Sequence, residues 1–349
     1  MKLPVDDLEN IRTRTAPLWD EMRGRRMFVT GGTGFFGCWL MESFCHINRE
    51  LNLNARATVL TRNPERFAQK APHIANDSAI DLLCGDVRDF RFPAGPFDYV
   101  VHAATDSSGA QVHATELELF DTIVTGTRHT LDFAKTTGVK KFLLLSSGAV
   151  YGVQPADIER VDECFAGAPM LHNANAAYGE GKRAAELLCC LYSRQHDLEC
   201  KIARCFAFVG PGLPLDVHFA IGNFIGNALR GETMRVRGDG TPLRSYLYMA
   251  DAMQWLWTLL FRAPSCQAFN VGSEHAVSIR ELAECVADVV SPGANVVIEQ
   301  AAPTGTKPAR YVPSTRSARE LLGLGECTDL RESIRRTACW YRAAQGVAC

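Results

Sequence analysis

Along the first half of the chain, short apolar runs alternate with stretches whose apolar residues recur at helical spacing. The runs at 26–30, 55–61, 80–84, 99–102, 141–146 and 199–206 predict strands. Helical periodicity is clearest at 116–136 and 177–196. Strands rich in Val, Leu and Ile throughout, rather than alternating, belong in a sheet covered on both faces. The helices between them make that sheet parallel. The pattern therefore predicts a doubly wound α/β fold. Beyond residue 206 the elements shorten. A turn cluster at 210–214 precedes a helix at 219–230, strands at 234–236, 244–247 and 268–271, and helices at 250–262, 278–290, 314–322 and 329–344. The first twenty-odd residues read as a surface arm or helix.

A chain of 349 residues exceeds one comfortable core, so a second lobe is expected beside the sheet. Its 47% hydrophobic and 22% charged residues are those of an ordinary globular protein. A formal net charge of −2 argues against nucleic acid or an anionic membrane held by bulk charge. An anionic ligand must instead be caught by a few placed arginines. No apolar run reaches the roughly 18 residues that span a bilayer. Asp6 and Asp7 stand where a signal peptide needs an apolar core. The 13 cysteines are scattered without a Cys-x-x-Cys pair, and are expected as reduced, mostly buried thiols of a cytoplasmic protein. The nine histidines show no ligand spacing, so no metal is expected.

Chemistry enters at the end of the first strand. Thr30-Gly31-Gly32-Thr33-Gly34-Phe35-Phe36-Gly37 reads as Gly-x-Gly-x-x-Gly or Gly-x-x-Gly-x-x-Gly, and a helical pattern follows at once. Strand, glycine turn and helix are what a dinucleotide pyrophosphate requires, because the backbone must approach the phosphates and offer them free N–H groups. In Tyr178-Gly179-Glu180-Gly181-Lys182 a phenol and an ammonium lie one helical turn apart on one face. An ammonium nearby favours the phenolate, which can exchange a proton with a substrate hydroxyl while a nicotinamide exchanges the hydride. Ser147, at the carboxyl end of a core strand, is placed to hydrogen-bond the reacting oxygen.

Together these segments resemble the extended short-chain dehydrogenase/reductase superfamily, the nucleotide-sugar epimerases and dehydratases. The likeness also covers Gly85-Asp86-Val87-Arg88-Asp89, His102-Ala103-Ala104, Ser146-Ser147-Gly148-Ala149-Val150-Tyr151-Gly152, Gly210-Pro211, Gly238-Asp239-Gly240 and Arg244-Ser245-Tyr246-Leu247-Tyr248. It implies a Rossmann-type sheet with a smaller C-terminal α/β lobe for the nucleotide-sugar. The boundaries would be an N-terminal arm (1–24), a dinucleotide domain (25–206 plus about 245–272) and a sugar-nucleotide lobe (207–244 plus 273–349). The resemblance makes Ser147, Tyr178 and Lys182 the catalytic set. It places Gly31, Thr33, Gly34, Phe35, Phe36 and Gly37 on the pyrophosphate, Asp86 and Val87 on the adenine, and Ala103 and Ala104 beside the nicotinamide. Arg244 and Arg310 would grip the substrate diphosphate, with Asn223 in the same pocket. A homodimer through the helices at 116–136 and 177–196 is also implied.

Departures from that pattern narrow the reading. NAD-preferring members carry an acid after the second strand, where this chain has Thr61 and then Arg62. An arginine there can meet a 2′-phosphate, so the cofactor is NADP or NAD with the balance toward NADP. The family's 4,6-dehydratases carry Thr-Asp-Glu at the strand end and its glucuronate decarboxylases Thr-Ser-Glu, against Ser147-Gly148-Ala149 here. Ala207 also replaces a frequent asparagine, and Ile123 and Val124 stand near a position that is commonly asparagine, which leaves the sugar open. What remains is redox at one sugar carbon, most plausibly C4 of a nucleotide-diphosphate hexose. That is epimerisation through a transient 4-keto sugar, or NADPH-dependent ketoreduction. A catalytically silent dinucleotide-binding module is the reading from another class.

Overall fold

The computed structural model describes residues 2–105, 115–173, 176–217, 219–302, 305 and 307–347. Six strands follow the predicted runs: β1 (Arg26–Thr30), β2 (Arg56–Thr61), β3 (Ile80–Cys84), β4 (Tyr99–His102), β5 (Lys141–Ser147) and β6 (Glu199–Cys205). Ala268–Val271 joins them at one edge, in the order Ala268–Val271, β6, β5, β4, β1, β2, β3. Every neighbouring pair is parallel. The chain winds one way from β1 to β3 and the other way from β4, so a crevice opens beyond the carboxyl ends of β1 and β4.

Side chains of successive strand residues point to opposite faces, and both faces are dry. Met27 and Val29 enter a core with Trp39, Phe44, Trp255 and Trp257. Phe28, between them, enters the other core with Phe90, Phe97, Phe133 and Phe142. This explains why the strands read as continuous apolar runs. The helices that carry the site begin and end on local signals. Thr115 and Glu118 form a capping box on the helix Glu116–Thr137, which ends at Gly138 in the left-handed conformation (φ 77°).

A third core gathers the helices Ala220–Leu229, Ile279–Val290 and Leu330–Ala344 around Val209, Met234, Leu282 and Ile334. Small strands accompany it. Val296–Ile298 pairs with Met234–Val236, and Leu243–Arg244 lies between Val277–Ser278 and Arg310–Tyr311.

Three expectations change. The strand expected at 244–247 is two separate strands. Leu243–Arg244 stays in the small sheet, while Leu247–Tyr248 crosses to pair with Phe208–Val209. The N-terminal residues form a helix, Val5–Thr15, and a 3₁₀ segment, Ala16–Met22, that are not a surface appendage. Leu8, Ile11, Trp19 and Met22 belong to the main core, with Trp19 edge-on to Trp257 at 4.9 Å. Finally, Cys339 is disulfide-bonded, whereas the other described cysteines are free thiols. Among the described residues no helix is long and apolar enough to cross a membrane.

Candidate active site

The glycine turn is tight because the protein itself fills the space where side chains would go. Gly31 has φ 72°, and a Cβ there would lie 2.5 Å from the Ala103 carbonyl carbon, at the end of β4. A Cβ on Gly37 would come within 2.3 Å of Gly31 O, so the helix Phe35–Glu50 packs directly on the turn that starts it. Gly34 differs. It is exposed, and a Cβ there would touch only Gly31 O, at 3.5 Å. It caps the helix without any side-chain hydrogen bond, so the first-turn N–H groups carry the positive end of the helix dipole toward open space. This arrangement fits a dinucleotide pyrophosphate. Phe36 stands edge-on to Phe208 at 4.8 Å and Phe35 edge-on to Phe36 at 5.9 Å. The Thr33 carbonyl accepts a hydrogen bond from Lys70 at 3.0 Å.

The end of β4 is locked beside that turn. His102 Nδ1 bonds Thr30 Oγ1 at 2.8 Å and its Nε2 bonds Thr127 Oγ1 at 3.0 Å. The Ala103 and Ala104 N–H groups donate to the Thr30 carbonyl and hydroxyl. Burial, with the Lys182 charge nearby, pushes the His102 pKa down to about 3, so the ring is neutral.

The structure brings Ser147, Tyr178 and Lys182 together. Ser147 ends β5, its hydroxyl accepts from Ala149 N at 3.1 Å, and it acts on the Tyr178 phenol in favour of the ionised form. Tyr178 and Lys182 lie on the helix Ala176–His196, with the ammonium 5.9 Å from the Tyr178 ring centroid. Lys182 is buried and donates to Thr105 Oγ1 and Leu145 O, both at 2.7 Å. Burial lowers its pKa to about 8. Burial raises the Tyr178 pKa, and the Ser147 hydroxyl is what opposes that rise. Behind this set Glu186 takes the Ser146 hydroxyl at 2.5 Å and the Arg204 guanidinium at 2.7 Å.

The remaining candidates spread outward. Thr61 is buried at the end of β2 and Arg62 is exposed. Asp86 is held by Arg88, through two side-chain bonds of 2.8 and 3.1 Å that keep its carboxyl below the usual range, with Arg62 adding to the effect. Val87 is a core residue of the Phe28 cluster. Asn223 is half-buried on the helix Ala220–Leu229. Arg244 lies opposite Tyr311, and Arg310 opposite Leu243, so directly paired residues put Arg244 and Tyr311 on one face. Arg310 Nε is buried with no hydrogen-bond partner, which leaves it a donor to offer. Sequence reasoning missed Thr105 and Tyr311. Among the described residues no group of three or more His, Cys, Asp or Glu is placed to hold a metal.

Comparison with known proteins agrees with this geometry. UDP-glucuronic acid decarboxylase 6 of Arabidopsis thaliana is 30% identical over 322 residues, 92% of this chain and 90% of the relative. Among solved structures, the dTDP-glucose 4,6-dehydratase DesIV of Streptomyces venezuelae, with NAD and TYD bound, is 26% identical. It superposes with a TM-score of 0.75 over 92% of this chain and 98% of its own. The UDP-glucuronic acid 4-epimerase of Bacillus cereus, in complex with UDP-glucuronic acid and NAD, shares the fold at 19% identity. Its TM-score is 0.75, covering 91% of this chain and 99% of that one. Residues 27–272 match the NAD dependent epimerase/dehydratase family, and with the glycine turn and the Ser-Tyr-Lys set in place the chain belongs to that family.

Proposed function

We propose that the chain oxidises and reduces C4 of a nucleotide-diphosphate hexose, leaving an epimerised sugar. The observation that carries this reading is the strand end. Ser147, Tyr178 and Lys182 converge there, while positions 148 and 149, which bear acids in the dehydratase pattern, are Gly and Ala. A Cβ on Gly148 would meet Tyr311 Oη at 2.6 Å and Phe206 at 2.7 Å, so the place of that side chain is already filled. Elimination or decarboxylation steps that rely on those acids are disfavoured.

A bound nicotinamide dinucleotide supplies the hydride acceptor and donor. Tyr178 takes the proton of the C4 hydroxyl as a general base and returns it when the 4-keto sugar is reduced on its other face. Ser147 orients and polarises the C4 oxygen. Lys182 holds the ribose and keeps positive charge beside the phenolate. Arg244 and Arg310 fork onto the diphosphate, and Asn223 lines the pocket. Residues 25–206 with about 245–272 carry the dinucleotide, and 207–244 with 273–349 carry the sugar nucleotide. The homodimer would form through the helices Glu116–Thr137 and Ala176–His196, a reading that exposed Leu117, Leu187 and Leu191 support.

Arg62 at the end of β2 favours a second reading, net reduction of a 4-keto sugar with NADPH. Purified protein incubated with UDP-, dTDP-, GDP- and CDP-hexoses and their 4-keto forms separates the two. Epimerisation changes the sugar NMR spectrum with no net change in nicotinamide absorbance, and reduction consumes NADPH mole for mole. Tyr178→Phe should lower turnover by about 10²–10⁴-fold while cofactor binding is kept. Turnover unaffected by that change would remove Tyr178 from the chemistry, and cofactor binding with no turnover of any of these sugars in the wild type would sink the enzymatic reading and leave a dinucleotide-binding module.

A further inference from the structure

One residue before Ser147 the sheet carries three polar side chains abreast. Ser146 of β5 lies opposite Arg204 of β6, and Arg204 lies opposite Asn270 of the edge strand Ala268–Val271. Directly opposed residues of neighbouring strands point to one face. Tyr151 joins the last two, accepting from Arg204 Nη1 at 2.9 Å and donating to Asn270 Oδ1 at 2.7 Å. Onto this row the helix Ala176–His196 lays Glu186. Its carboxylate accepts from Ser146 Oγ at 2.5 Å, from Arg204 Nε at 3.0 Å and from Arg204 Nη2 at 2.7 Å. One turn earlier on the same helix Lys182 donates to the Leu145 carbonyl at 2.7 Å, and one turn before that stands Tyr178. Residues four apart share a helix face. Two successive residues of β5 are therefore held by two successive turns of the helix that carries the phenol. A single point of attachment leaves a helix free to swivel, and a second removes that freedom.

We propose that Glu186 is a positioning residue: its bond to Ser146, paired with that of Lys182 to Leu145, fixes the helix on β5 so that Tyr178 and Lys182 stand in register with Ser147. The inference rests on the roles given to those three residues above and names what holds them in place. Arg204 keeps the carboxylate from standing unpaired inside the protein, where a lone charge is costly. Tyr151 and Asn270 fix the guanidinium in turn, and Asn270 Nδ2 donates onward to Val161 O and Ser314 O, both at 3.0 Å. A buried polar network with its members satisfied specifies one arrangement of the elements it joins. Apolar side chains at the same level would pack the helix on the strand without dictating its rotation.

Ser146→Ala cuts one of the two points, and Glu186 keeps Arg204, so no buried charge loses its partner. The readout is the Lys182 ammonium, followed by NMR of the full chain labelled at lysine Cε from about pH 6 to 11, with Lys182→Met assigning the resonance. Burial lowers the Lys182 pKa to about 8, and Cys205 of β6 with Glu186 and Cys189 of its own helix oppose that fall. His102 of β4 is neutral, Thr105 offers a hydroxyl, and Tyr178 presents its ring. Ser146→Ala alters none of these groups, so the midpoint moves only if the helix does. It should fall by about half a pH unit or more as the ammonium loses its alignment with Leu145 O. Ser43→Ala removes a buried hydroxyl from the opposite core, where it bonds Leu40 O and Trp257, and should leave the midpoint in place. An unmoved midpoint in Ser146→Ala, or an equal fall in Ser43→Ala, overturns the proposal. If Ser146→Ala does not fold, Ser146→Cys, a weak donor of similar size, must give the fall. No dinucleotide or sugar is present, so this result is independent of the reaction. With a sugar that the wild type turns over, Ser146→Ala should lower kcat about tenfold and keep KM within about twofold. An unchanged kcat also overturns the proposal, whereas a failure of the role given to Tyr178 shows in Tyr178→Phe.

Discussion

At the scale of single residues, cofactor choice turns on the end of β2. An acid there would bond the ribose hydroxyls and repel a 2′-phosphate. Thr61 provides neither effect, and the Asp86 carboxylate is already engaged by Arg88. Arg62 contributes to the electrostatics of Asp86, which Arg88 also holds, and the proposed NADP reading makes Arg62 the contact to a 2′-phosphate. Arg62→Ala should weaken NADP binding by roughly 10- to 100-fold, the loss of one charge-assisted contact, while NAD changes little. Calorimetric titration with both dinucleotides checks this, and equal losses for the two would remove Arg62 from the 2′-phosphate. The residues legible in the sequence were those whose chemistry is local. Tyr178 and Lys182 share one helix turn, and Gly31, Gly34 and Gly37 share one bend. Tyr311 was not legible, because a lone tyrosine on a two-residue strand carries no periodicity and reaches Gly148 and Phe206 only through the fold.

At the scale of elements, His102 joins three of them. Its ring bridges Thr30, the last residue of β1, and Thr127 of the helix Glu116–Thr137, while its own backbone ends β4. The neutral ring satisfies both hydroxyls. Its folded pKa, about 3, lies below the reference of about 6.5. The unfolded chain therefore binds the proton first. Stability is at its full value above about pH 6.5 and falls as the pH drops toward 3, with a loss of about 2 kcal/mol at pH 5 relative to pH 7. Urea denaturation at the two pH values should show this drop, and His102→Gln should flatten it. Equal pH slopes in the two proteins would contradict the assignment. Long elements such as this helix were predicted to within a residue or so, because tertiary packing and sequence periodicity agree there. The strand expected at 244–247 failed because Ser245 and Tyr246 lead the chain from one small sheet into another, and alternation over so few residues cannot register that crossing.

At the scale of the whole molecule, the N-terminal helix ties the sheet to the third core. Asp7 is 1% exposed and accepts from Tyr248 Oη at 2.5 Å and Arg336 Nη1 at 2.7 Å. Tyr248 opens the helix Met249–Arg262 against the sheet, and Arg336 lies on the helix Leu330–Ala344. The pattern around Asp7 looked like a solvated, acidic arm because charge normally marks surface. Here the acid accepts from a buried phenol and a guanidinium together. Burial raises the Asp7 pKa despite both partners, so desolvation outweighs their attraction and the ionised form adds little net stability. Leaving the Tyr248 hydroxyl without its acceptor is costlier, although Arg336 keeps Glu332 at 2.7 Å. Asp7→Ala should destabilise the protein by about 1–3 kcal/mol, whereas Asp7→Asn, which can still accept from Tyr248, should cost distinctly less. With the strap cut, urea unfolding of Asp7→Ala should separate into two transitions, the third core melting first. A single transition in both variants with equal losses would mean that the arm only fills space, and that the two cores hold together without it.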